Sequence, residues 1–152
     1  MTLNRNTLIS LASAGSAGLL GGAFVFQFLG FAPCAMCLWQ RWPHGAAIAI
    51  GIIALITAPT RLLAWLGALA AGTTGAIGVY HTGVERDWWE GPSSCTGTGG
   101  LDAGNLLDMT GPKLVLCDQV AWDLFGVSMA SWNAIFSFGL MAIWILAART
   151  KS

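Results

Sequence analysis

Four cysteines, Cys34, Cys37, Cys95 and Cys117, are the residues of this chain best suited to chemistry. Cys34 and Cys37 form a C-x-x-C pair, and a disulfide between such close neighbours restrains little chain, so it is more often redox-active than structural. A disulfide between Cys95 and Cys117 would close a longer loop, which stabilises by roughly 3 kcal/mol in the chain-entropy model. Cysteine number alone leaves the resting connectivity open.

Three interpretations of these cysteines compete. Passive staples suit the second pair better than the first. A zinc site needs four converging thiolates, commonly supplied by two C-x-x-C pairs, and the wide spacing of the second pair does not match that pattern. A redox site needs one pair near an electron acceptor and a second pair accessible to a partner protein. The sequence favours this third interpretation and predicts catalytic roles for all four cysteines.

The elements that position the cysteines are predicted to be membrane-spanning helices. Only 9% of the residues are charged, against about 25% in ordinary soluble domains. Apolar blocks near the length that crosses a bilayer cover residues 7–31, 37–58, 62–80 and 127–148. We therefore predict a single all-α integral membrane domain, a four-transmembrane-helix bundle with a long loop, about 81–126, between helices 3 and 4. A cleaved signal peptide is the alternative for the first block, which is longer than a typical signal core.

The distribution of charge predicts the orientation of the helices. Arg5, Arg61, Arg149 and Lys151 flank the apolar blocks, and all seven acidic residues lie within 85–123. The positive-inside rule then places both termini in the cytoplasm and every cysteine on the outer side. That compartment is oxidising, and the topology favours pairing within the C-x-x-C and within the loop. Zero net charge without a basic patch argues against nucleic acid as a partner.

Arg41 and His81 are the candidate binding residues beside the cysteines. Arg41 follows Cys37 by one helical turn inside an apolar segment, where a charge usually marks a functional site. Its charge would favour the Cys37 thiolate, and its donors could hold a carbonyl of the electron acceptor. Snorkelling to lipid headgroups is the alternative for Arg41, and an interfacial side chain facing water is the alternative for His81. His44 has less to recommend it.

These residues resemble the bacterial disulfide bond formation protein B family, DsbB. The resemblance covers nearly the whole chain, because the order of helices and cysteines also matches. It rests on these segments: Cys34-Ala-Met-Cys37-Leu-Trp-Gln-Arg41, Tyr80-His81, Cys95, and Cys117-Asp-Gln-Val-Ala-Trp122-Asp-Leu-Phe-Gly126.

The resemblance implies a protein-dithiol:quinone oxidoreductase of the bacterial inner membrane. It implies that the Cys95–Cys117 disulfide oxidises a periplasmic thioredoxin-fold partner similar to DsbA, with Cys95 forming the mixed disulfide. Cys117 would link the loop to the inner pair, and Cys34–Cys37 would reoxidise the loop. Sustained disulfide bond formation in the periplasm is the function that follows.

The resemblance also implies that ubiquinone, or menaquinone under low oxygen, binds at the periplasmic end. Cys37 would face the quinone with Arg41 beside it, and His81 falls near the quinone-site histidine of the family. Two features depart from the family pattern: Gln40 stands where an acidic residue is often found, and the loop is somewhat shorter.

Two other classes of protein remain as alternatives. A protein like vitamin K epoxide reductase is also a small quinone-linked bundle, but its C-x-x-C is expected late in the chain. A membrane scaffold or transporter subunit with structural disulfides predicts that Cys34 and Cys37 are dispensable. Apart from Arg41, the predicted spans carry few charges that would indicate an ion or proton pathway.

Overall fold

A computed structural model describes residues 4–93, 95 and 115–150. Its helices are α1 (Arg5–Phe28), α2 (Ala35–Ile56), α3 (Arg61–Glu85) and α4 (Met129–Arg149). The helical prediction is confirmed, although α3 continues past its predicted end and includes His81. Most of the predicted 81–126 loop, residues 94 and 96–114, lies outside the described residues.

Each helix begins at a polar residue whose side chain accepts a hydrogen bond from the first turn. These residues are Asn4, Cys34, Thr60 and Ser128. Such N-caps satisfy amide groups that would otherwise lack a partner at the helix start. For α2 the cap is a cysteine, so the sequence places a thiol directly at the positive end of a helix.

Three of the helices, α1, α3 and α4, are long and apolar enough to cross a membrane. Helix α2 is of similar length but is not one of these three, and Gln40, Arg41 and His44 lie in its first half. A membrane-spanning helix rarely carries such groups unless they face the interior of the bundle or a cavity. Gln40 and His44 are indeed buried, with 6% and 3% of their surfaces exposed.

A two-stranded hairpin precedes α4, which the sequence did not predict. Strands β1 (Asp123–Leu124) and β2 (Val127–Ser128) pair in antiparallel register. Phe125 and Gly126 form the turn, and both have positive φ, as a type I′ turn requires. The amide of Gly126 donates to the Asp123 carboxylate at 3.2 Å. Since the hairpin lies between Cys117 and α4, it connects the disulfide to the bundle.

The bundle end that carries both termini, here called the terminal end, has a core of small residues and one large side chain. Trp144 is fully buried there among these smaller residues: Leu8, Ile9, Ala12, Ala54, Ala64, Ala68, Ala71, Ala147 and Ala148. Small residues let helices approach closely in a membrane. Arg5 donates to the carbonyls of Ala147, Pro59 and Thr150, which joins α1 to the end of α4 and to the α2–α3 turn.

We expect Gly67→Ala to destabilise the bundle because Gly67 lies against the Trp144 ring. A Cβ atom at this position would lie 2.5 Å from Cδ2 of Trp144, so the fully buried ring would have to move. Overpacking of this kind costs about 1–3 kcal/mol. Gly139→Ala is the matched control, since its Cβ would meet no atom within 4 Å. Thermal unfolding in one detergent should show a lower midpoint for Gly67→Ala alone; equal midpoints would contradict the packing argument.

Candidate functional site

The first two cysteines lie at the start of α2. Cys34 is the N-cap, and its sulfur accepts the Cys37 amide hydrogen at 3.2 Å. Both are free thiols, with their sulfur atoms 2.7 Å apart. The pKa of the Cys34 thiol is raised, first by its hydrogen bond with the Cys37 side chain and then by burial. The N-terminus of α2, which Cys34 caps, favours a negative charge at this position.

The other two cysteines form a disulfide that packs on the first pair. Cys95 and Cys117 are bonded to each other, with their Cα atoms 5.2 Å apart, and the Cys117 amide donates to the Cys95 carbonyl. Both are buried in one cluster with Cys34 and partly buried Cys37. The sulfur atoms of Cys34 and Cys117 lie within 4.8 Å of each other. All four cysteines, which the sequence places in separate segments, therefore meet at one point.

His81 reaches this cluster from α3. Its Nε2 atom lies 3.6 Å from the Cys34 sulfur and 3.9 Å from a carboxylate oxygen of Glu85. Its Nδ1 atom lies 2.9 Å from the Gln40 side-chain amide. Glu85 in turn accepts a hydrogen bond from the Ser128 hydroxyl, which links α3 to the start of α4. Both ring nitrogens of His81 thus have protein partners.

Cys34, His81 and Cys117 are also the one group of side chains, among the described residues, whose ligand atoms lie close enough together to hold a metal ion. A zinc ligand must be a thiolate, however, and the Cys117 sulfur is bonded to Cys95. In this state the group offers one thiol and one imidazole. The arrangement therefore suits sulfur exchange better than metal binding.

The Arg41 side chain extends from α2 toward α1, and its hydrogen bonds are to residues of α1. Its guanidinium donates to the Gln27 side-chain oxygen at 2.6 Å and to the Ala23 carbonyl at 3.4 Å, and it lies 4.8 Å from the ring centre of Phe24. Its Nε atom is buried and has no hydrogen-bond partner among the described residues. A buried donor without a partner is uncommon and indicates a place for an acceptor atom.

A cavity of about 400 Å³ opens beside these groups, and α1, α2, the end of α3, the hairpin segment and α4 line it. Cys34, Cys37, Arg41 and His81 line it together. Most of the remaining wall is apolar and includes Leu19, Leu20, Phe26, Trp122, Trp132 and Phe136. A mainly apolar cavity of this size with a few convergent polar groups is typical of a small-molecule site.

Four polar residues in or beside the cavity were not candidates on sequence grounds, or had little support: Gln40, His44, Glu85 and Asn133. Glu85 follows His81 at i+4, so it lies on the same helix face, and this spacing was a usable signal. Asn133 is a lone amide in an apolar helix, which is also a signal of function in a membrane. Its contacts with α2 depend on tertiary structure and have no local signature.

The fold and the site together define a helical membrane protein in which two cysteine pairs meet beside an apolar cavity. A family model described as disulfide bond formation protein DsbB matches residues 5–147. The chain belongs to this DsbB family.

Curated relatives agree with the family match. The chain is 30% identical to disulfide bond formation protein B 2 of Pseudomonas aeruginosa over 146 residues, covering 86% of this chain and 85% of the relative. It is 30% identical to disulfide bond formation protein B of Xanthomonas oryzae pv. oryzae over 151 residues, covering 90% and 85%. It is 32% identical to disulfide bond formation protein B 2 of Pseudomonas savastanoi pv. phaseolicola over 150 residues, covering 88% and 82%. No solved structure matches the chain. Family membership supports a role for this chain in disulfide bond formation, as an oxidoreductase that forms disulfides.

Proposed function

We propose that this protein oxidises a periplasmic thioredoxin-fold dithiol protein similar to DsbA and passes the electrons to a membrane quinone. The observation that carries the proposal is the approach of the two cysteine pairs, with the Cys34 and Cys117 sulfur atoms within 4.8 Å. Thiol–disulfide exchange requires a thiolate to reach a disulfide sulfur, and this distance needs only a small movement.

The exchange begins at the loop disulfide. A thiolate of the partner attacks Cys95, which forms a mixed disulfide and releases the Cys117 thiolate. The second thiolate of the partner then attacks its own bonded sulfur, so the partner leaves oxidised and Cys95 leaves as a thiolate. Cys95 is only 2% exposed, so docking of the partner must expose its sulfur.

The electrons then pass to the inner pair, starting from a Cys34–Cys37 disulfide. The Cys117 thiolate attacks Cys34, which forms a Cys34–Cys117 bond and releases the Cys37 thiolate toward the cavity. The Cys95 thiolate attacks Cys117, which restores Cys95–Cys117 and releases the Cys34 thiolate. The two electrons of the partner now reside on Cys34 and Cys37, the two thiols that the structure contains.

The cavity residues fit a quinone. The apolar wall suits a flat ring, and the buried Nε donor of Arg41, which has no partner among the described residues, suits a carbonyl oxygen. Ubiquinone or menaquinone bound there would supply the two-electron acceptor that returns Cys34 and Cys37 to a disulfide. The chain itself supplies the thiolates, the guanidinium that orients the acceptor, and the apolar side chains that exclude water.

Energetics support an acceptor of this kind. A strongly oxidising thioredoxin-fold partner has a reduction potential of about −120 mV, whereas structural disulfides lie below about −300 mV. Electron transfer from the dithiol form of such a partner to an ordinary structural disulfide would therefore be unfavourable by roughly 8 kcal/mol, at about 1.4 kcal/mol for each 30 mV. The cycle therefore needs a downhill final acceptor, and a lipid-soluble quinone can reach a cavity between membrane helices.

The same proposal includes the topology. We propose that α2 crosses the membrane together with α1, α3 and α4, because it is of similar length and its Gln40 and His44 side chains are buried in the bundle. The basic residues at the terminal end then face the cytoplasm, and the cysteines face the periplasm of a bacterial inner membrane.

The test is quinone reduction by the purified protein, given a reduced DsbA-like protein and a soluble quinone, and followed by absorbance. We expect steady turnover in the parent and a loss of at least about 100-fold in Cys95→Ser, because the partner loses its point of attack. Ser93→Ala, an exposed neighbour, is the matched control and should retain full activity. A parent that neither binds nor reduces quinone would contradict the proposal and favour a scaffold with structural disulfides.

A further inference from the structure

A chain of buried side chains connects α2, α3 and α4 beneath the cysteines. It runs from His81 through Gln40 and Asn133 to His44, with contacts of 2.9, 2.7 and 2.9 Å. Thr74 joins it at 3.3 Å from the Asn133 amide nitrogen. Gln40, His44, Thr74 and His81 are each at least nine-tenths buried, so water does not compete for these hydrogen bonds.

The direction of every hydrogen bond in this chain follows from two backbone carbonyls, which can only accept. The single hydroxyl hydrogen of Thr74 is donated to the Gln40 carbonyl, so Thr74 must accept from Asn133, which identifies that Asn133 atom as the amide nitrogen. The same nitrogen donates to the Gln40 side-chain oxygen. The Gln40 atom that faces His81 is therefore the amide nitrogen. Its contact with the Met36 carbonyl, which can only accept, requires the same assignment.

The Gln40 nitrogen thus donates to Nδ1 of His81, which must be unprotonated in order to accept. Neutral His81 then carries its hydrogen on Nε2, the atom that faces the Cys34 sulfur, and the Cys117 backbone carbonyl is a further acceptor for the ring. A second proton on Nδ1 would point at the Gln40 amide hydrogens, so the same contact disfavours the imidazolium. At the far end, the Asn133 oxygen accepts from His44, which must also carry its hydrogen on Nε2.

We infer that Gln40 is a positioning residue that holds His81 as a neutral Nε2–H tautomer, so that His81 donates to the sulfur of Cys34 and does not take its proton. This inference rests on the proposed function, in which Cys34 departs as a thiolate when Cys95 attacks Cys117. A donor at the departing sulfur stabilises the developing charge. The titratable groups that face the ring are Cys34, neighbouring Cys37, and Glu85, whose carboxylate lies on the same Nε2 side.

The amide of Gln40 and a carboxylate at the same position would act differently on His81. An acidic residue in place of Gln40 would accept from Nδ1 and would favour either the other tautomer or the doubly protonated ring. An amide presents a donor at the same place, provided that Asn133 occupies its oxygen. Gln40 and Asn133 therefore act together, one on α2 and the other on α4.

Nitrogen-15 NMR of labelled histidine tests the inference in the resting protein, without partner or quinone. The chain has two histidines, so a protein without a histidine tag should give two ring patterns, and His44→Leu assigns His81. We expect the Nε2–H pattern for both rings between about pH 6 and 8. In Gln40→Glu, His81 should carry a proton on Nδ1, while the His44 pattern stays unchanged. In Gln40→Met, His81 should populate both neutral tautomers.

Turnover gives a second reading of the same variants. Gln40→Met should lower turnover about tenfold, as expected for weakening a hydrogen bond to a charged sulfur, while Thr73→Val, an exposed neighbour of Thr74, should leave it unchanged. An Nδ1–H pattern for His81 in the parent, or an unaltered tautomer in Gln40→Met, would overturn the inference. An Nε2–H ring in a protein that reduces no quinone would uphold the positioning by Gln40 and count against the proposed function alone. If Gln40→Met does not fold, the parent spectrum and Gln40→Glu still decide.

Discussion

Cys37→Ser is expected to abolish steady quinone reduction and, at the same time, to join Cys34 to Cys117. Loss of one member of the inner pair removes the disulfide that receives electrons, and removal of such a nucleophile typically lowers turnover by at least about 1,000-fold. The remaining Cys34 thiolate lies within 4.8 Å of the Cys117 sulfur. It can attack the loop disulfide, which forms Cys34–Cys117 and releases the Cys95 thiolate.

Mass spectrometry of peptides from the unreduced protein measures this cross-link, and quinone absorbance measures turnover. Cys34→Ser is the matched control, because it also lacks an inner disulfide. Its remaining thiol is Cys37, which is not part of the close cluster formed by the side chains of Cys34, His81 and Cys117. We expect it to lose turnover equally and to give little Cys37–Cys117 cross-link. Equal cross-linking from both cysteines would contradict the assignment of Cys34 as the residue that exchanges with the loop.

The two cysteine pairs and the helices that carry them could be predicted from the sequence because they depend on local features. A C-x-x-C at the start of an apolar helix and a second pair on the same side are visible without a structure. The helices follow from runs of apolar residues, since a long uncharged segment in a bilayer has few alternatives to helix. Even the boundary at Cys34 has a local cause, because the residue caps α2.

The rest of the site could not be predicted because it depends on how helices approach one another. Gln40 and Asn133 are distant in sequence, and their contact exists only because α2, α3 and α4 pack together. Arg41 lines the same cavity as Cys37, as the spacing of the two residues suggests, but its hydrogen bonds are to Gln27 and Ala23 on α1. These partners could not be chosen from residue types alone.

The hairpin illustrates a different limit. Hairpin turns with two positive-φ residues usually carry Asn-Gly or Asp-Gly, whereas here the first position is Phe125. Asp123 lies two residues before Phe125 and accepts a hydrogen bond from the Gly126 amide. The strands contain only two residues each, too few to show an alternating pattern. The turn therefore had no strong local signal.

Arg41→Met is expected to weaken quinone binding by about 10- to 100-fold, because hydrogen bonds to charged groups typically contribute about 1.5–3 kcal/mol. The Nε donor of Arg41 is buried beside the cavity and has no partner among the described residues, so a ligand carbonyl would be its natural acceptor. Methionine retains much of the length and apolar contact of the side chain. The measurement is KM for a soluble quinone, together with Kd from equilibrium dialysis in the absence of the protein partner.

Arg86→Met is the matched control for Arg41→Met, because it removes the same charge at the same end of the bundle. Arg86 is exposed, lies over the Trp88 ring 5.5 Å from its centre, and is not one of the residues that line the cavity. It should leave both KM and Kd unchanged if short-range donation, and not the general positive field, holds the quinone. Equal values for the parent and Arg41→Met would instead support snorkelling to lipid headgroups as the role of Arg41. A rise in KM with an unchanged Kd would place its effect on a later step, since KM equals Kd only when chemistry is slow relative to dissociation.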